Sequence, residues 1–245
     1  EQKGHSPSRF RLAMMLRFGG VLNKDPQRCK RLCQQAAEQG HATAAAFLLY
    51  IEEKYGEALP KLEALAAAHD ADAQLLLGAI YNNGFGVDLS IPAAIEWYQK
   101  AATAGHPAAQ LNLGVVLQSG GYGVAPNADR AHQLFHQAAA QGSARAMCLL
   151  GMIYENGDGV TPDLRRAMQW YNDAAERGSA DAQYKLALLY HDGASSEYGS
   201  VAPDPQLCWK WCQSAADLNC VRAQVLMAKI IEGWLNGVLS LYMSF

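Results

Sequence analysis

The feature that most restricts what this chain can fold into is a repeat of about 36 residues. Ala73, Ala109, Ala146 and Ala182 stand 36, 37 and 36 residues apart. Self-similarity at such a period marks supersecondary units that bury their apolar faces by stacking on one another. Four residues after each alanine come Leu77, Leu113, Leu150 and Leu186, followed at once by Gly78, Gly114, Gly151 and Ala187. Eight after it come Tyr81, Leu117, Tyr154 and Tyr190, and eleven after it Gly84, Gly120, Gly157 and Gly193. Spacings of four and eight lie on one helical face, so each unit is predicted to open with a helix that a glycine turn closes.

The second half of each unit predicts a second helix. Trp97, Leu134, Trp170 and Trp211 are followed by the pairs Ala101-Ala102, Ala138-Ala139, Ala174-Ala175 and Ala215-Ala216, which reads as one apolar stripe. It ends at Gly105, Gly142, Gly178 and Asn219, residue types that accept a left-handed C-terminal cap. Pro92, Pro126, Pro162 and Pro205 fall near the start of these helices, where a missing N–H costs least. Each Trp, Tyr or Leu of the stripe is expected to contribute about 1.5–3 kcal/mol by burial. A glycine inside a helix costs about 1 kcal/mol relative to alanine. The return of Gly78, Gly114 and Gly151 at one position therefore predicts that the partner helix lies almost against the backbone there.

Two further units lie upstream. Ser8, Leu12, Ala13, Leu16 and Gly19, closed by Ala36-Ala37 and Gly40, match the register one 36-residue step before Ala44. The next unit, His41 to His69, is seven residues short and lacks the glycine loop, which predicts a compact hairpin joined around Lys54 to Glu57. A seventh, incomplete unit begins at Ala223. The expectation is an all-α solenoid of six to seven helix-turn-helix repeats forming one domain over residues 1–245. The approximate repeat boundaries are 5–40, 41–69, 70–105, 106–142, 143–178, 179–219 and 220–245, the last incomplete and acting as a cap.

Units such as Ala73-Gln-Leu-Leu-Leu-Gly-Ala-Ile-Tyr-Asn-Asn-Gly-Phe-Gly-Val, then Ala94-Ile-Glu-Trp-Tyr and Ala101-Ala-Thr-Ala-Gly, resemble the Sel-one-like repeat family, a relative of the tetratricopeptide repeats. The resemblance covers nearly the whole chain and is most specific in units three to six. It implies a right-handed superhelix with the first helix of each repeat on the concave side. It also implies an adaptor role in protein assembly, envelope and secretion pathways, or that of a bacterial immunity protein neutralising a secreted effector. A bacterial periplasmic or envelope setting follows from the same resemblance. One branch of the family is cysteine-rich, with a disulfide joining the two helices of each repeat; this sequence departs from it, because its paired cysteines sit within one helix.

Charge and hydropathy exclude several classes. Twenty Lys and Arg against 23 Asp and Glu give a formal charge of −3, which offers no basic face for nucleic acid. The most apolar stretch, Val225 to Phe245, is interrupted by Lys229, Glu232, Gly233, Asn236 and Gly237, so no transmembrane segment is expected. The polar opening Glu1 to Ser8, without an initiating methionine, fits a processed or trimmed terminus. Six cysteines without CxxC spacing suit neither a disulfide-dense scaffold nor a zinc site.

The sequence carries no catalytic constellation and implies no cofactor or metal. The turns Asn83-Gly-Phe-Gly-Val and Asn156-Gly-Asp-Gly-Val lack the strand and lysine of a phosphate loop and the alternating acids of a calcium loop. Cys29 and Cys33, and equally Cys208 and Cys212, take the positions of Ala94 and Tyr98 or of Ala167 and Tyr171. They read as buried core thiols, with a disulfide involving Cys220 as the lesser alternative. His132 and His136 have i, i+4 spacing but no third ligand, and read as solvated.

With tetratricopeptide-like geometry, a partner would dock along the positions two before, two after and five after each Leu of the Leu-Gly pair. These are Leu75, Ala79 and Asn82; Leu111, Val115 and Gln118; Cys148, Met152 and Glu155; and Tyr184, Leu188 and His191. They would make an apolar trough with a polar lip, unless neighbouring helices already cover its floor. The insertion Ala194 to Ala202, with Tyr198 at its tip, reads either as a tolerated loop or as a contact arm. The apolar end Val238-Leu-Ser-Leu-Tyr-Met-Ser-Phe is expected to cap repeat six, to meet a partner, or to support self-association.

The functional expectation is a non-enzymatic protein-binding module: an inhibitor of a toxin or effector enzyme, or alternatively a scaffold for envelope or secretion assembly. A hydrolase of the cysteine-rich relatives' type is the alternative from a different class.

Overall fold

The computed structural model describes residues 6–18, 25–84, 86–120, 123–196 and 199–242, and in the last segment the side chains as far as residue 233. Among the described residues there are thirteen α-helices and one two-stranded ribbon, so the fold class is all-α, of the helical-repeat type that the 36-residue period predicts. The helices are α1 (Ser6–Phe18), α2 (Pro26–Glu38), α3 (Ala42–Ile51), α4 (Tyr55–Ala67), α5 (Ala71–Asn83), α6 (Ile91–Thr103), α7 (Pro107–Ser119), α8 (Ala128–Ala140), α9 (Ala144–Asn156), α10 (Leu164–Glu176), α11 (Ala180–Asp192), α12 (Pro205–Asp217) and α13 (Val221–Tyr242). Strands β1 (Ala194–Ser196) and β2 (Gly199–Val201) fill the insertion before α12 as an antiparallel hairpin, with Ser195 opposite Ser200.

The chain divides into two compact units, Glu1–Ala146 and Met147–Phe245, with the boundary inside α9. In the first, each helix from α1 to α8 packs on the next. In the second, α10 packs on α11, α11 on α12 and α12 on α13, while β2 lies on α10.

Local chemistry sets the helix ends. Asp25, Asp70, Ser90, Asn127, Asp163, Ser179 and Asp204 each accept a hydrogen bond from a first-turn backbone N–H, satisfying a donor that has no partner inside the helix. At the other end Gly105, Gly142 and Gly178 adopt φ of 84°, 87° and 80°, and Asn219 takes 60°. At α6 the cap is of Schellman type: Gly105 N–H donates to Ala102 O at 2.9 Å and His106 N–H to Ala101 O at 3.0 Å. Pro92 and Pro205 sit in the first turn of α6 and α12. Pro126 and Pro162 instead lie before α8 and α10, packed over Gly120 and Gly157 in the loops.

The helical glycines do what their cost requires. A Cβ at Gly114 would lie 2.5 Å from Phe135 Cε1, and one at Gly151 would lie 2.5 Å from Tyr171 Cε1; at Gly78 it would run into the ring of Tyr98. Each aromatic ring thus rests on the bare backbone of the first helix. These rings, not the tryptophans before them, form the buried stripe: Tyr98, Phe135 and Tyr171 are buried, whereas Trp97, Trp170 and Trp211 are half-buried. The expectation that this register fills the stripe holds at Leu134, which is buried, and is corrected at the three tryptophans, where the buried face goes to the residue one position, or about 100° of rotation, further on. Trp97 and Trp211 instead carry Lys100 and Lys210 over their faces, at 3.8 Å and 5.1 Å.

Where the glycine is replaced, so is the ring. Repeat six has Ala187 with Cys212, and repeat one has Ala13 with Cys33, and all four are fully buried. The short second repeat is held by an aromatic cluster. Phe10 meets Phe47 edge-on at 6.0 Å, Phe47 stacks on Tyr50 at 6.0 Å, and Tyr50 lies 5.2 Å from Tyr55. Its hairpin turns through Glu52–Lys54, slightly earlier than expected, because α4 already starts at Tyr55. The Tyr55 ring packs against Gly86 of the next repeat's loop, at 2.5 Å from where a Cβ would stand.

Candidate interaction surface

The surface in question consists of the first helices of the repeats, and burial divides the predicted trough residues. Leu75 and Ala79 belong to the core of the first unit, and Leu111 is buried, so the accessible positions there are Asn82, Val115 and Gln118. In the second unit Cys148 is buried. Met152, Glu155, Tyr184 and Leu188 are half-buried, and His191 is exposed. Tyr198 lies outside the described residues, as do the side chains of Val238 to Phe245. Leu75, Ala79, Leu111 and Cys148 are therefore packing residues, a correction to the trough as read from spacing. A helix inside a stack has neighbours on more than one side, and apolar spacing alone does not separate a face covered by the next repeat from one left for a partner. α13 supplies the control: Val225, which stands where Leu75 does, two residues after the repeat's alanine, is 50% exposed.

Glu155 is a joint rather than a free lip residue. Its carboxylate accepts hydrogen bonds from the Tyr171 hydroxyl of α10 and from Lys185 Nζ of α11, the latter at 2.9 Å. Burial, followed by this contact with a carboxylate, pushes the Tyr171 phenol well above its ordinary pKa. Nearby, Arg222 of α13 forms an ion pair with Asp181 and lies 5.0 Å above the Tyr184 ring. The accessible part of Tyr184 is thus shared with a cation.

Equivalent joints tie the first unit. Thr43 Oγ1 donates to Asp70 at 2.5 Å, and His106 Nε2 meets Asp72 at 2.9 Å. Burial acts to raise the Asp72 pKa, but the His106 contact and the charges of Arg11 and His41 outweigh it and hold the carboxyl below the usual range. Glutamines make a repeated inter-repeat bond. Gln74 Nε2 donates to Ala66 O at 3.0 Å, Gln110 to Ala102 O at 3.4 Å, and Gln183 to Ala175 O at 3.1 Å. Each reaches back to a C-terminal carbonyl of the preceding helix that has no partner within that helix. The signal stood in the sequence as the recurring Ala-Gln pair at 73–74, 109–110, 182–183 and 223–224.

All six cysteines are free thiols, and Cys29, Cys33, Cys148, Cys208 and Cys212 are buried. Burial raises Cys148 to about 11 and Cys212 to about 12, and its hydrogen bond with Cys29 pushes Cys33 further up. These groups stay protonated at neutral pH and are poor nucleophiles. His132 and His136 meet edge-on at 6.4 Å, and burial lowers the pKa of His136. Among the described residues no three His, Cys, Asp or Glu gather as a metal site would need, and no helix is long and apolar enough to cross a membrane.

Comparison with known proteins agrees with this architecture. The family model for the Sel1 repeat matches residues 6–41, 71–106, 107–143, 144–179 and 180–220. A Sel1 repeat protein from Oxalobacter formigenes is 31% identical, with a TM-score of 0.66, and the match covers 77% of this chain and 72% of that one. The immunity protein PA5088 of Pseudomonas aeruginosa shares the fold at 20% identity and a TM-score of 0.58, over 89% of this chain and 83% of its own. Among curated relatives, the protein NMB1327 of Neisseria meningitidis is 30% identical over 159 residues, which is 63% of this chain and 32% of the relative. The chain thus spans less than half of that relative's length.

Proposed function

We propose, on the premise that this chain belongs to the Sel1 repeat family, that it is an inhibitory binding protein that docks one partner protein along the first helices of its repeats. Proteins of this family mediate protein–protein interaction. The observation that carries the reading is that each unit, taken by itself, leaves half-buried residues along its first helices: Asn82, Val115 and Gln118 in the first, and Met152, Tyr184 and Leu188 in the second. Apolar side chains that stay partly wet beside polar ones are what a partner's helix or extended segment needs for a contact with a dry centre and a hydrogen-bonded rim. Inhibition is favoured over scaffolding because the immunity protein PA5088 carries the same fold over most of both chains. The partner would then be an effector enzyme, occluded by the docked surface.

The test is a paired capture and activity measurement. Wild type is compared with a variant carrying Asn82→Arg, Gln118→Arg and Leu188→Arg, whose folding is checked by thermal unfolding. The reading expects one partner bound at about nanomolar Kd, loss of that partner's activity at one-to-one stoichiometry, and loss of both in the folded variant. A captured enzyme that stays fully active in the complex would move the reading to a scaffold. Capture that survives the three arginines would place the contact elsewhere on the molecule.

A further inference from the structure

The second helices carry a concavity that this docking surface does not use. A pocket of about 290 Å³ lies in the first unit between the last two turns of α6 and residues 130–137 of α8. It is lined by Gln99, Thr103, Gln110, Arg130, Leu134 and Gln137, with Ala102 and Gly105 at the α6 end. Its lining is polar and largely pre-arranged. Gln99 Nε2 donates to Thr103 Oγ1 at 3.1 Å, and that hydroxyl donates to Gln99 O at 2.7 Å. Gln110 is buried, with Nε2 on Ala102 O at 3.4 Å, while its Oε1 accepts from Gln141 Nε2 at 2.8 Å. Gln141 Nε2 also donates to Gly105 O at 3.0 Å, which occupies one of the carbonyls at the end of α6.

One cation stands in this setting. Arg130 Nη1 donates to Gln133 Oε1 at 3.2 Å, which restrains the guanidinium and leaves its remaining N–H donors for other acceptors. Among the described residues Arg130 makes no ion pair, and the Gln137 amide has no protein partner. A half-exposed arginine beside open amides, with an apolar floor at Leu134, matches the needs of a carboxylate. The planar guanidinium takes both oxygens, and the amide donates to whichever lone pair remains. Gln99 can then meet the flanking peptide groups.

We propose that this pocket binds an acidic side chain, Asp or Glu, presented by a peptide segment of a partner. It is a second contact point on the second-helix side of the first unit. A polar pocket of this size, open to solvent, suits one anchoring side chain rather than a buried small-molecule cofactor.

The proposal is tested on the full chain by NMR titration with the blocked tripeptide Ac-Ala-Glu-Ala-NH2, its Gln counterpart serving as the neutral control. The side-chain resonances of Arg130 Nε–H and the Gln137 amide are followed. The expected result is a saturable shift of both with the Glu peptide at millimolar Kd, at least ten-fold weaker with the Gln peptide. Arg130→Gln should lose it by a similar factor, whereas Arg145→Gln, an exposed arginine outside the pocket, should leave it unchanged. Equal binding of the two peptides, equal binding by Arg130→Gln, or the absence of a saturable shift would each overturn the proposal. None of these outcomes bears on docking along the first helices, which involves different residues.

Discussion

Repeats three to five and repeats one and six solve the same packing problem with different pairs of residues. In repeats three, four and five a glycine on the first helix faces Tyr98, Phe135 or Tyr171 on the second. In repeats one and six, alanine on the first helix is matched by cysteine on the second: Ala13 with Cys33, and Ala187 with Cys212. One methyl group is gained on the first helix and an aromatic ring is lost on the second, while the positions stay buried. The difference teaches that a ring on the second helix requires bare backbone on the first, and that a methyl group is accommodated there only where the ring is absent, as close-packed interiors require. It also accounts for Cys33 and Cys212, whose side chains are small enough to sit opposite alanine.

That comparison can be broken experimentally. The largest effect is expected for Tyr171→Cys, which puts the side chain of repeats one and six opposite the glycine of repeat five; the resulting cavity should cost about 3 kcal/mol in urea unfolding. Adding Gly151→Ala should recover about 1 kcal/mol or more of this, through helix propensity and partial filling. No recovery would mean that the two positions are not a coupled pair. The mirror change, Cys212→Tyr against Ala187, is expected to cost about 1–3 kcal/mol by overpacking, and Ala187→Gly should relieve it.

Smaller effects should separate the polar joints from the apolar pairs. Gln110→Ala should cost about 1 kcal/mol, since it removes a buried side chain together with its hydrogen bonds to Ala102 O and from Gln141. Gln224→Ala should cost close to nothing, because its 3.5 Å contact to Ala216 O is exposed. The Asp72–His106 joint sharpens the comparison through pH. The Asp72 carboxyl is held below its unfolded value. Its contribution is therefore complete above about pH 5 and disappears as pH falls through the lowered folded pKa. The stability difference between wild type and Asp72→Asn should accordingly shrink on acidification; a difference that stays constant to pH 2 would show that the carboxylate's charge is not what holds the joint.

Much of the architecture was readable without coordinates. The 36-residue period fixed helix count and order, the glycines at 105, 142 and 178 marked where helices end, and Gly78, Gly114 and Gly151 announced close approaches, because each of these depends on local backbone chemistry that a single residue type determines. The interaction surface was only half readable. Spacing placed Leu75, Leu111 and Cys148 beside Asn82, Gln118 and Glu155 on one helical face, but burial by a neighbouring repeat and burial by a partner require the same apolar residues. Only the packed structure decided which of them remain open. The Tyr171–Glu155–Lys185 joint, the Gln110–Gln141 link and the pocket around Arg130 were likewise invisible in sequence. They join residues 31, 16 and 30 positions apart, or line a space between the second helices of neighbouring repeats, which the period aligns without saying which side chains meet there. Local geometry is written residue by residue, whereas which side chains meet across repeats depends on how one hairpin sits on the next.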